Sequence, residues 1–123
     1  MNSELLDYIH DTEILDYCLQ KNGAYVDYPF GADYITVKVK NSRKNVIFAE
    51  IFVLDRELKL TFSTDECTAQ KLRSDYADII VKGWHCPPVQ AKYKSTVAVD
   101  GVSMETLQNL IDMSYDRAIF KLK

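Results

Sequence analysis

The sequence predicts an α+β fold with two layers, in which an antiparallel sheet carries its helices on one face. Strand-like segments follow one another from residue 34 to residue 62 with short polar turns between them. Helix-like segments stand before and after this group, and a further strand pattern precedes the C-terminal helix. Hairpin-linked strands pair antiparallel, and helices gathered apart from them cover one face of the sheet. The predicted order is helix, three strands, helix, one or two strands, helix.

The first helix is predicted to begin near Glu13, with Thr12 as its N-cap and Asn22-Gly23 at its end. Its apolar face is formed by Ile14, Leu15, Cys18 and Leu19. Residues 3–10 also have helical spacing, so residues 1–12 are predicted to be an N-terminal helical extension. Pro29 and Gly31 indicate that residues 24–33 form an irregular connection.

Three strands are predicted next. In residues 34–40, apolar and polar side chains alternate, which is typical of a strand with one exposed face. Residues 41–45 are a polar hairpin tip, residues 46–54 form an apolar central strand, and residues 58–62 form the third strand. The face opposite the helices is expected to be open and to show Lys38, Lys40 and Lys59.

The second half is predicted to begin with a helix that Ser63 or Thr64 caps. Its apolar stripe is Ala69, Leu72 and Tyr76. A short apolar run at 79–81, a loop at 83–88 and a strand pattern at 89–99 follow. Ser103 is placed to cap the last helix, whose inward residues are Leu107, Leu110, Ile111, Ala118 and Leu122.

Length and composition indicate one globular domain over residues 1–123, with 47% apolar and 27% charged residues. No apolar run reaches the ~20 residues that span a bilayer, and the N-terminus lacks the pattern of a secretion signal. The expectation is therefore a cytoplasmic protein with no membrane partner. Three widely spaced cysteines do not suggest a disulfide framework.

Several short motifs follow one another along the chain: Asp27-Tyr28-Pro29-Phe30-Gly31, Gly83-Trp84-His85, Thr96-Val97 with Asp100-Gly101, and the helical segment 110–116. In their order and spacing these motifs resemble the MmcQ/YjbR family of small bacterial domains. Cys86-Pro87-Pro88 stands where the family commonly has Met-Asn-Lys, and Tyr93-Lys94 stands where a Trp falls. The resemblance implies a fold related to type III secretion chaperones. It also implies that a pair of β-wings contacts DNA. No reaction is generally attributed to the family.

Nucleic-acid binding is the first functional prediction, as weak and salt-sensitive contact with DNA phosphates. The net charge of −3 argues against a dedicated basic binder, but the cations are segregated into acid-free stretches at 34–49 and 79–99. The candidate residues are Lys38, Lys40, Arg43, Lys44, Lys59, Lys82, His85, Lys92 and Lys94. The alternative is that these lysines keep an open sheet soluble and block edge pairing.

The sequence also bears on two other function classes, catalysis and protein binding. Catalysis is not predicted: His85 and Cys86 are sequence neighbours that point apart in an extended chain, and His10 and His85 are the two histidines. Asp112 and Asp116 have helical spacing that a solvated helix face explains, so no cofactor or metal is expected.

The alternative to DNA is a protein-binding or chaperone-like module, either a monomer or a weak homodimer. Its contact residues would be Trp84, Pro87, Pro88 and Tyr93.

Overall fold

The computed structural model describes residues 13–29, 31 and 33–123. In chain order the helices and strands of this part are α1 (Ile14–Leu19), β1 (Tyr25–Asp27), β2 (Tyr34–Lys40), β3 (Asn45–Leu54), β4 (Glu57–Ser63), α2 (Glu66–Asp75), β5 (Ile80–Lys82), β6 (Lys94–Ala98) and α3 (Met104–Leu122). Short 3-10 helices lie at Gln90–Lys92 and Val99–Gly101. Residues 1–12, including the predicted extension and the Thr12 cap, lie outside the described residues.

The strands form one six-stranded antiparallel sheet in the order β1-β2-β3-β4-β6-β5. The predicted α+β class is confirmed. The β2–β3 hairpin is held by Asn41, whose side-chain oxygen accepts hydrogen bonds from the backbone N–H groups of Arg43 and Lys44. An asparagine side chain stabilises a turn in this way, and the Asn41 side-chain N–H also donates to the Leu122 carbonyl oxygen at 2.6 Å, which joins the hairpin tip to the end of α3.

The core lies between the sheet and the helices, and its strand residues are those of the predicted alternation. Ile35, Val37 and Val39 of β2 are buried against the inward residues of α3. The pairing of β2 with β3 shifts between Val37 and Lys38, which leaves Phe48 as an extra residue in β3. The Ser114 hydroxyl of α3 donates to the Phe48 carbonyl oxygen at 2.5 Å, so this irregular point of β3 is fixed to the helix.

Helix α1 is tied to α3 by a polar contact at the edge of the core. Asp112 accepts a hydrogen bond from the Tyr17 hydroxyl at 2.7 Å and pairs with Lys21 Nζ at 2.5 Å. The Asp112 side chain is still 42% exposed and Asp116 is exposed, as the predicted solvated helix face requires, but Asp112 has in addition these two partners. Tyr17 lies in α1 and Lys21 follows it, far from Asp112 in the sequence, so this carboxylate joins the first helix to the last one.

Three local predictions were wrong. Residues 24–33 were predicted to be irregular, but Tyr25–Asp27 form strand β1, which pairs with the edge of β2. A strand of three residues is too short to show an alternating pattern.

The cap of α2 was also predicted at the wrong residue. Ser63 remains in β4 opposite Lys94, so α2 is capped instead by Asp65, which accepts a hydrogen bond from the Thr68 backbone N–H at 2.8 Å. Residues 89–93 were predicted to begin a strand, but they contain the 3-10 helix and β6 begins at Lys94.

Within the part of the chain that the structure describes, no helix combines the length and the apolar content needed to cross a bilayer.

Candidate binding site

The candidate site lies on the sheet face that points away from the helices. Strand pairing places Tyr34 opposite Phe52 and Glu50 opposite Thr61 on this face. The segment that follows β5 folds back over it: the Trp84 backbone N–H donates to Thr96 Oγ1 at 3.0 Å. The expected open face is therefore partly covered by the chain's own loop.

Gly83 allows the loop to leave β5 at this point. A Cβ atom on Gly83 would lie 2.9 Å from both Lys94 Cβ and Cys86 Sγ, closer than carbon atoms pack. The Cys86 thiol donates to the Gly83 carbonyl oxygen at 3.2 Å, and His85 adopts a positive φ of 54°. A glycine followed by a tight turn thus directs the next side chain, Trp84, onto the sheet.

An aromatic cluster forms where the loop meets the sheet. The Phe52 ring stacks on Tyr34 at 4.9 Å and on Trp84 at 5.0 Å between ring centroids, and the His85 ring lies 4.2 Å from that of Trp84. These four rings line a cavity of about 730 Å³, together with Glu50 and other residues. We call it the aromatic cavity.

Glu50 lies on the floor of the aromatic cavity and is 9% exposed. It accepts a hydrogen bond from the Tyr34 hydroxyl at 2.9 Å and pairs with Lys94 Nζ at 3.3 Å. Burial raises the pKa of the Tyr34 hydroxyl, and the Glu50 charge and hydrogen bond raise it further. Tyr34 therefore stays protonated and keeps donating to Glu50 at every physiological pH.

A second cavity of about 560 Å³ adjoins the first, and we call it the cationic groove. Lys44, Lys94 and Lys121 line it, with Ser63 and Tyr93 between them. Ile47, Gln90 and Lys94 line both cavities, so the two spaces share a wall.

Arg117 extends the positive charge of the groove along α3, one helical turn before Lys121. Its guanidinium lies 4.7 Å from the centre of the Tyr93 ring. Arg117 Nε is buried and makes no hydrogen bond to any of the described residues. Partial desolvation lowers the pKa of the otherwise exposed Lys121 amine, and the charges of Arg117, Lys94 and Lys44 lower it further. Positive charge accumulates here, and such a field attracts anions.

The structure places the sequence-predicted cations in two groups. On the sheet face, Lys38 pairs with Asp27 at 2.7 Å, Lys59 pairs with Glu57 at 2.9 Å, and Lys40 lies over the Tyr25 ring at 5.1 Å. Lys44 and Lys94 instead come together in the cationic groove. Phosphate contact by Lys38 or Lys59 would compete with a carboxylate that each already holds.

The remaining predicted residues lie around these two cavities or away from them. Arg43 is exposed at the hairpin tip, and Lys82 and Lys92 are exposed on β5 and the 3-10 helix. Of the predicted protein contacts, Trp84 and Pro87 line the aromatic cavity, Tyr93 lines the groove, and Pro88 is exposed.

Sequence reasoning missed Arg117, Lys121, Tyr34, Phe52 and Glu50 as site residues. The spacing of Arg117 and Lys121 by four residues on the last helix was the available signal for the groove. Glu50 was visible as a single acid inside an otherwise apolar strand. Among the residues that the structure describes, no group of three His, Cys, Asp or Glu side chains is placed to hold a metal ion.

Comparisons with known proteins agree with this architecture. A family model described as YjbR matches residues 19–117. The Deinococcus radiodurans protein DR2400, a DUF419 domain, has a crystal structure similar to this one, with a TM-score of 0.73 and 25% identity over 87% of this chain and 75% of that one. A Pseudomonas syringae protein has a similar fold, with a TM-score of 0.69 and 16% identity over 86% of this chain and 96% of its own. No curated protein matches the sequence.

Proposed function

The chain belongs to the YjbR family, and we propose that it binds nucleic acid weakly, through phosphate contacts at the cationic groove. The observation that supports this is the convergence of four cations from three parts of the chain. Lys44 comes from the β2–β3 hairpin, Lys94 from β6, and Arg117 and Lys121 from the end of α3.

Four cations held near one another repel, so their assembly is unfavourable unless an anion balances it. Glu50 balances Lys94. Hydrogen bonds from Thr68 lower the pKa of Asp65 most, and the Arg117 charge lowers it a little further. Lys44 and Lys121 are exposed cations that phosphate oxygens can reach.

The net charge of −3 limits the affinity that this function can have. A protein that meets DNA through a few lysines and arginines binds non-specifically, with a Kd of about 10⁻⁴–10⁻⁶ M at physiological salt. The affinity is then steeply salt-dependent, because each phosphate contact releases condensed counterions.

The test is fluorescence anisotropy of labelled duplex and single-stranded DNA, titrated at several salt concentrations. We expect binding that weakens with salt. The slope of log K against log[salt] on duplex DNA is negative, and it should become less negative by about 0.9 for each lysine contact removed. The informative variant is Lys44→Gln/Lys121→Gln. Its control is Lys71→Gln, because Lys71 is a similarly exposed lysine on α2 that lines neither cavity.

A second variant, Lys40→Gln/Lys59→Gln, examines the sheet-face lysines predicted from the sequence. A loss of binding in this variant alone would move the phosphate contacts to the sheet face. No binding by the wild-type protein at low salt would overturn nucleic-acid binding altogether.

Protein binding remains the second candidate function, and the aromatic cavity favours it. Trp84 is half-buried and supplies an aromatic side chain of the kind that interface centres prefer, and Val89 on the same loop is 71% exposed. A peptide held there should be nearly insensitive to salt and lost on Trp84→Ala. Sedimentation velocity of the same samples distinguishes a monomer from a weak homodimer.

A further inference from the structure

We propose that the aromatic cavity and the cationic groove together hold one nucleotide unit of a single-stranded nucleic acid. The base enters the aromatic cavity, and its phosphate lies in the cationic groove. This inference rests on the proposed function and adds the class of nucleic acid. It follows from the position of the aromatic cavity directly beside the cationic groove.

The first step is that the two cavities adjoin. Ile47, Gln90 and Lys94 line both of them, so a ligand that reaches across these shared side chains can occupy the two spaces at once. Volumes of about 730 and 560 Å³ lie in the range typical of small-molecule sites. A base with its sugar fits in the first space and a phosphate in the second.

The second step is chemical complementarity. Trp84 is half-buried and the neighbouring His85 is exposed, and aromatic rings of this kind stack on nucleobases without regard to sequence. Glu50 adds a hydrogen-bond acceptor on the cavity floor for an N–H group of a base, such as N3–H of thymine. On the groove side, Lys44 and Lys121 provide the charges that a phosphate requires.

The third step separates single strands from duplexes. A base in duplex DNA is stacked and paired, so it reaches a cavity beneath a protein loop only after it has been flipped out, which breaks its stacking and pairing. A single-stranded base enters without that cost. The loop that begins at Gly83 covers the sheet face and therefore favours unstacked bases.

The first experiment compares three ligands of equal length on the wild-type protein: an oligo-dT, an abasic oligonucleotide with the same backbone, and a duplex. Trp84 is the single tryptophan, so its fluorescence reports occupancy of the aromatic cavity directly. We expect oligo-dT to quench Trp84 and to bind about 5- to 150-fold more tightly than the abasic strand, which is the range for stacking of one base. The abasic strand and the duplex should bind without quenching.

Two further measurements test whether the base occupies the aromatic cavity. Cys86 lines the aromatic cavity, so oligo-dT should slow its alkylation by iodoacetamide while leaving exposed Cys67 unchanged. Trp84→Ala, measured by anisotropy, should bind oligo-dT and the abasic strand equally. The ligand comparison uses the wild-type protein, so it stands even if this variant folds poorly.

The outcomes are distinct. Salt-sensitive binding that is equal for all three ligands, with no change in Trp84 fluorescence, overturns the nucleotide site and leaves the phosphate groove intact. No binding of any ligand overturns both proposals. Thymidine monophosphate that quenches Trp84 as tightly as oligo-dT supports the two-compartment site and assigns it to a free nucleotide.

Discussion

Lys94 Nζ lies 3.3 Å from Glu50 Oε2, and this ion pair stands at the boundary between the aromatic cavity and the cationic groove. The side chains of Lys94 and Glu50 are 22% and 12% exposed, so water screens the pair only partly. Because of this position, the ion pair affects the charge of both the aromatic cavity and the cationic groove. The carboxylate keeps the cavity floor polar, and it reduces the repulsion that Lys94 exerts on Lys121.

The first prediction concerns this pair. Glu50→Gln keeps an oxygen that can accept from Tyr34 but removes the charge opposite Lys94. A partly buried cation without its partner destabilises the fold, and we expect the free energy of unfolding in urea to fall by about 1–3 kcal/mol. Since Lys94 then becomes available to phosphate, DNA affinity at low salt should rise.

The control for Glu50→Gln is Glu57→Gln. Glu57 pairs with Lys59 at 2.9 Å, but its side chain is 58% exposed, and exposed pairs contribute about 0–1 kcal/mol. Equal losses of stability in the two variants would contradict the structural role assigned to Glu50.

The sequence was sufficient to predict the sheet and the helices because their signals are local. Alternation over residues 34–40 and the capping Ser103 were correctly interpreted, and Ser103 accepts from the Thr106 backbone N–H as expected. Strand β1 was missed because its three residues depend on pairing with β2, which is a tertiary contact. The α2 cap was misplaced because the pairing of β4 with β6 extends as far as Ser63 and Lys94.

The candidate site was predicted less completely, for a related reason. Lys44, Trp84 and Lys94 were named from local composition, but their partners come from distant segments. The stacking of Phe52 with Trp84 depends on the loop folding back over β3. Whether a lysine is paired also depends on strand register, as the contact between Lys38 and Asp27 illustrates.

The second prediction concerns Gly83. In Gly83→Ala the new Cβ would meet Lys94 Cβ at 2.9 Å, so β6 or the loop must move. We expect the free energy of unfolding to fall by about 1–3 kcal/mol, the usual cost of overpacking. Trp84 emission should shift to longer wavelength as its stacking on Phe52 loosens.

Gly101→Ala is the comparison for Gly83→Ala. A Cβ there would lie 3.3 Å from Ile79 Cγ2, and a small movement of that methyl group relieves the contact. A smaller loss of stability and unchanged Trp84 emission are expected. A red shift in this variant as well would mean that Trp84 fluorescence does not report the loop.

The third prediction concerns the cysteines. Burial raises the pKa of the Cys18 thiol to about 12, so this thiol is both inaccessible and protonated at pH 8. Cys67 is exposed, and Cys86 is half-buried with its thiol bonded to Gly83. Reaction with a chromogenic disulfide reagent should show a fast phase for Cys67 and a slower one for Cys86. Cys18 should react only in denaturant.

Cys67→Ser provides the assignment, since it should remove the fast phase and nothing else. A native protein in which all three thiols react at one rate would contradict the burial of Cys18.

The fourth prediction concerns the pH dependence of stability through Asp112. Desolvation acts to raise the pKa of this carboxyl, but the hydrogen bonds from Lys21 and Tyr17 outweigh it, and the net pKa is lowered. A carboxyl whose pKa is lower in the folded state stabilises the protein at pH values above its unfolded pKa of about 4. That stabilisation is lost as the pH falls through the folded pKa, because protonation breaks the pair with Lys21. Asp112→Asn should therefore lower the Tm at pH 7, and the difference from wild type should shrink steadily below about pH 4.

Asp116→Asn is the matched variant, one turn further along α3 and exposed. It should change the Tm little at any pH, since exposed substitutions usually lie within about 0.5 kcal/mol. Thermal unfolding followed by circular dichroism between pH 2.5 and pH 7 compares the three proteins directly. If the Asp112→Asn curve ran parallel to the wild-type curve over this range, α1 would be held to α3 by packing of Ile14 and Cys18 and not by the Asp112 charge.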